Sequence, residues 1–181
     1  MDRGTYEEEL RKGFESEIVE VAECERSSFY TWLKGSPLDE STIRRILIQL
    51  NEDVEDLETL LSKGLDEMLQ DRYLTKAFER VMQTSIKGVI DLLRHIISGL
   101  NLGIAEYYKD YVEICRDKRV ISHEMAEKIL ELIPLRHSLV HRYRELNYEK
   151  LWNSANTIVE IIPRLREEIR DYLKRENVNL N

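Results

Sequence analysis

Residues 70–100 read QDRYLTKAFERVMQTSIKGVIDLLRHIISGL, and the order of apolar and polar residues in this stretch decides the fold. Leu74, Ala77, Phe78, Val81, Met82, Ile86, Val89, Leu93, Ile96, Ile97 and Leu100 recur at steps of three and four, the period of an α-helix rather than the alternation of a strand. The stripe they form is wide. A helix with so broad an apolar face must be covered by several neighbours, so this segment is expected to be the central helix of a bundle.

The same period continues on both sides. Upstream, Asp39 is placed to cap a helix over residues 40–64 with Ile43, Ile46, Leu47, Leu50, Val54, Leu57 and Leu60 on one face; Gly64 either ends it or sits inside it. Before that, Tyr6, Leu10, Phe14, Ile18 and Val21 predict a further helix over residues 5–33, stopped by Lys34-Gly35-Ser36-Pro37. Residues 1–35 therefore read as an N-terminal helical extension and residues 36–181 as the bundle domain. Downstream, Gly99 to Gly103 closes the central helix, and helices are expected over 104–116, from a Ser122 cap onward, and over 148–175. Pro134 removes a backbone donor and clashes with the preceding turn, so a kink or a restart is expected there, and a kink is possible at Pro163. Only 7 glycines and 3 prolines occur in 181 residues, and no strand alternation appears, which makes the chain all-α.

A net charge of −8 and a pI near 5.2 exclude a broad basic surface of the kind that holds nucleic acid non-specifically. Any contact with RNA must then be local. Cys24 and Cys115 form no CxxC pair, which argues against a metal ribbon or a redox dithiol and fits a reducing cytosol. No apolar window approaches the length of a membrane span, and the N-terminus has no signal-peptide core, so a cytoplasmic location is expected.

Against that acidic background, Arg136-His137-Ser138-Leu139-Val140-His141-Arg142-Tyr143 is a basic island holding two of the four histidines. Its residue types suit phosphodiester cleavage without metal. A ribose 2′-hydroxyl must lose a proton as it attacks phosphorus, and imidazole titrates nearest neutrality. Charge then grows on the phosphoryl oxygens, where the planar fork of arginine can meet it. Arg136 and His141 are five residues apart, about 140° around an ideal helix, so they do not share a face. They converge through long side chains, through a break near Pro134, or across a subunit interface. Other readings of the segment are a solvated basic helix face, and a zinc site built from His137, His141 and Glu145. Elsewhere, His95 reads as a satisfied core histidine, and Arg72 and Arg80 as salt-bridge partners in preference to residues facing a cleft.

Arg136, four residues, His141, one residue, Tyr143: this spacing resembles the motif of HepT-like ribonuclease toxins of the HEPN superfamily. The helix from Asp71-Arg72-Tyr73-Leu74 through Leu93-Arg94-His95-Ile96-Ile97, the helix near Tyr107, and Leu139-Val140-His141 resemble that family in order and spacing, over roughly residues 40–175. The chain departs from the family at one point, with His137 where asparagine usually follows the arginine. The resemblance implies a HEPN-type bundle of four to five core helices, here with an extra N-terminal helix, that forms a homodimer with its Arg/His pairs in a cleft between subunits. It implies a toxin of a type VII toxin–antitoxin pair, a metal-independent endoribonuclease without cofactor, acting on tRNA or mRNA. Arg136 would steady the phosphate, His141 would move the proton, and His137 would support the site. The implied partner is a minimal nucleotidyltransferase antitoxin, which adds AMP to the motif tyrosine, Tyr143. A second implication is a non-catalytic module that holds a nucleotide or substrate for a nucleotidyltransferase.

Overall fold

The computed structural model describes residues 38–140 and 146–177. The chain divides into two units, Met1–Pro37 and Leu38–Asn181, and the helix expected over residues 5–33 lies outside the described residues. Within them the secondary structure is helical throughout: α1 (Glu40–Leu61), α2 (Leu65–Gln70), α3 (Arg72–Gly99), α4 (Tyr108–Asp117), α5 (His123–Val140) and α6 (Tyr148–Arg175).

Asp39 caps α1 as its position predicts. Its carboxylate accepts the backbone N–H of Ser41 at 3.0 Å and the hydroxyls of Ser41 and Thr42. Those bonds, that from the Thr42 hydroxyl first, hold the carboxyl down at about 2. The helix stops at Leu61, earlier than the expected 64. Gly64 has φ of 88°, a backbone conformation that suits glycine, and it turns the chain into α2. This short helix has no counterpart in the sequence reading, because six residues are too few to display a period. Met68 anchors it, fully buried.

The central position of α3 is borne out. Asp71 caps it by accepting the N–H groups of Tyr73 at 2.7 Å and Leu74 at 3.2 Å. It packs against every other described helix, through Phe78, Met82, Ile86, Leu93 and Ile96, all essentially buried. Each such side chain contributes about 1.5–3 kcal/mol relative to exposure. Against α1 the approach is close: a Cβ on Gly88 would lie 2.8 Å from Leu50 Cδ2. At the same interface sits Asp53, only 3% exposed, with one oxygen accepting from Gln49 Nε2 at 3.2 Å and the other without a partner. Burial pushes its carboxyl up, against the pull of Gln49.

Ser122 caps α5, its hydroxyl accepting the N–H of Met125 at 3.2 Å. Glu168 on α6 holds that serine by accepting its backbone N–H at 2.7 Å and its hydroxyl at 2.8 Å. The restart considered at Pro134 does not occur. α5 runs unbroken from His123 to Val140, and α6 likewise continues through Pro163. Proline deprives one carbonyl of its helical partner, but Leu132, Leu135 and Leu139 are buried on either side of Pro134 and keep the helix seated.

Pairs across α5 and α6 run in opposite senses along the two helices: Glu124 with Arg164 at 3.0 Å, then Lys128 with Glu160 at 2.7 Å. These helices are therefore antiparallel. The Tyr148 hydroxyl donates to Glu79 at 2.6 Å, so α6 begins beside the beginning of α3. One end of the bundle thus gathers the first turns of α3 and α6 and the last turns of α5. No helix among the described residues is long and apolar enough to cross a membrane.

Candidate active site

Arg136 lies on α5 between the buried Leu135 and Leu139, itself half-buried. Its guanidinium carbon sits over the ring of Tyr108, 4.7 Å from the centroid. It forms no ion pair among the described residues. Several other arginines are held by acids: Arg164 by Glu124 and Glu160, Arg170 by Glu167, Arg94 by Asp91. An arginine packed on an aromatic face without an acid keeps its N–H donors for an incoming anion.

Tyr108 is the first residue of α4. The start of that helix is fixed by Asp110, whose Oδ2 accepts the backbone N–H groups of Glu106 at 2.9 Å and Tyr107 at 2.8 Å. Those bonds, that from Tyr107 first, lower its carboxyl below the ordinary range. The helix begins at Tyr108 instead of the expected 104 because this cap sets the boundary. Ile104 and Tyr107, just before Tyr108, and Val140, one turn after Arg136 on α5, are exposed apolar side chains.

His137 is exposed on the next position of α5. His141, Arg142 and Tyr143 lie outside the described residues, as does Glu145 of the zinc reading. The structure thus supplies Arg136 and its surroundings. It also adds Tyr108, a contact that sequence reasoning missed because nothing local joins the two positions.

The remaining assignments divide. His95 is half-buried, not core, and its Nε2 lies 3.2 Å from the Asp39 carbonyl oxygen, so it is satisfied as read. Arg80 donates to Gln83 at 3.3 Å and Arg72 lines a groove, so neither forms the salt bridge expected among the described residues. That groove, about 490 Å³, includes Lys76, Glu79, Leu146 and Tyr148 and opens at the same end as Arg136. A cavity of about 740 Å³ lies at the other end of α5, lined by Arg119, His123, Glu168 and Arg175 among others. It contains no motif residue, and Glu168 and Arg175 there are engaged with Ser122 and the Arg119 carbonyl.

A bundle of helices with Arg136 set on the Tyr108 ring defines the class of fold, all-α among the described residues. Comparison with known proteins names the family. The family model "Ribonuclease HepT-like" matches residues 50–172, and the chain belongs to that HepT-like family of the HEPN superfamily. A protein of Archaeoglobus fulgidus named "Putative RNase" is 25% identical over 92 residues, which span 51% of this chain and 69% of the relative. Two solved structures share the fold. One is the tri-AMPylated HEPN toxin of Shewanella oneidensis in complex with MNT antitoxin, with TM-score 0.66, 19% identity, and coverage of 71% of this chain and 96% of that one. The other is the cytosolic protein YutE of Bacillus subtilis, of unknown function, with TM-score 0.69, 21% identity, and coverage of 80% and 96%.

Proposed function

We propose that this chain is the toxin of a toxin–antitoxin pair, a metal-independent endoribonuclease working through Arg136 and His141 in a cleft of a homodimer. The observation that carries the reading is the half-buried Arg136, free of carboxylates among the described residues. In the reaction, the 2′-oxygen forms a bond to phosphorus as its proton leaves to a base. The bond from phosphorus to the 5′-oxygen breaks, and that oxygen takes up a proton. His141 serves the proton transfers, Arg136 meets the charge on the non-bridging oxygens, and His137 supports the site. The exposed Ile104, Tyr107 and Val140 around Arg136 suit burial against a second subunit. The acidic charge elsewhere confines RNA to that cleft.

The partner is a minimal nucleotidyltransferase antitoxin, which transfers AMP from ATP to the Tyr143 hydroxyl with loss of pyrophosphate. The tri-AMPylated state of the Shewanella toxin supports this assignment. Added phosphates would place negative charge where RNA must enter. The ends of cleaved RNA test the reaction. Digestion in EDTA is expected to leave 2′,3′-cyclic phosphate and 5′-hydroxyl ends; 5′-phosphate ends, or a requirement for divalent metal, would contradict it.

A further inference from the structure

We propose that Tyr108 is a positioning residue for RNA cleavage, its ring holding the Arg136 guanidinium in the orientation that meets the scissile phosphate; this inference rests on the phosphate role given to Arg136 above. The contact is direct, with the guanidinium carbon 4.7 Å from the ring centroid. An arginine side chain has many rotamers, and a free one would have to give up that freedom as it meets the charge developing on the phosphate. A carboxylate could restrain it, but would occupy the same N–H edge that a phosphate needs. An aromatic face restrains it without a strong acceptor, so the five donors stay available.

The surroundings of Tyr108 fit this role. The nearby carboxylate of Asp110 is turned to the backbone, accepting from Glu106 and Tyr107 at 2.9 and 2.8 Å, and it fixes the first turn of α4. Arg136 is fixed from its own side by the buried Leu135 and Leu139. Two separately anchored helices therefore present ring and guanidinium to each other. Tyr108 is 41% exposed, so its contribution to the core is small and it is open to substitution without loss of fold.

The test is cleavage kinetics of a single-stranded RNA by wild type, Tyr108→Phe and Tyr108→Leu, each also made with Arg136→Ala. Loss of an exposed cation–π contact is expected to lower kcat about fivefold in Tyr108→Leu. KM should change less than about twofold, since the interaction acts as charge develops. Tyr108→Phe keeps the ring and should retain most of the rate. With Arg136→Ala already present, Tyr108→Leu should cause no further loss. Equal loss in the Phe and Leu variants would overturn the inference, as would a Leu effect that persists without Arg136. If Arg136→Ala cleaves at the wild-type rate, the ribonuclease reading of Arg136 fails; if it is impaired while Tyr108→Leu is not, only the role of Tyr108 fails.

Discussion

Arg136 and Cys115 show how one residue's surroundings set its chemistry. Arg136 lies over a ring and, among the described residues, pairs with no acid. Cys115 is fully buried against the core, and burial pushes its thiol up to about 12. Almost none of it is thiolate at pH 8, and its sulfur is out of reach. Iodoacetamide at that pH is expected to leave Cys115 unmodified in the native protein and to label it on unfolding, as peptide mass spectrometry would show. Labelling at the rate of a free thiol without unfolding would contradict the packing. At this scale the sequence was informative about residue types and silent about contacts. The basic island could be read directly, because charge is local. The stack of Arg136 on Tyr108 could not, because it depends on how α4 folds back on α5.

Among the elements, periodicity was a good guide where helices are long. The stripe over residues 70–100 became α3, and the segment 148–175 became α6 with the same limits. It failed where other forces set the boundary. α2 is shorter than two turns, and α4 starts where Asp110 captures two backbone N–H groups. Of the kink or restart expected at Pro134, the restart does not occur, because burial of Leu132, Leu135 and Leu139 outweighs one lost hydrogen bond. That proline still costs stability. Pro134→Ala restores the missing donor and is expected to raise Tm by several degrees, because an interior proline costs about 3 kcal/mol. An unchanged or lower Tm by calorimetry would mean that the proline is favoured at this position.

Across the whole molecule, the bundle was legible because its helices must bury their stripes on one another. The partner of each helix was not, since many bundles satisfy the same stripes. One consequence of the arrangement is Asp53, a carboxyl buried between α1 and α3 with an oxygen unpartnered. Its folded-state value is raised by burial. The stability it contributes is therefore full below its unfolded value near 3.8 and is lost as pH rises through the higher folded value. Asp53→Asn carries no such charge. Its Tm relative to wild type is expected to climb as pH is raised from about 4 toward 7. A difference that stays constant across that range would show that Asp53 is not strained by ionisation.

The central claim is that Arg136 and His141 cleave RNA without metal, and single-turnover cleavage in EDTA by wild type, Arg136→Ala and His141→Ala tests it most directly. Wild type is expected to cleave. Each variant should be slower by about 10²-fold, the usual worth of one catalytic donor or acid–base group. Their Tm values should stay within a few degrees of wild type. Cleavage by either variant at the wild-type rate, or no cleavage by wild type until metal is supplied, would contradict the account.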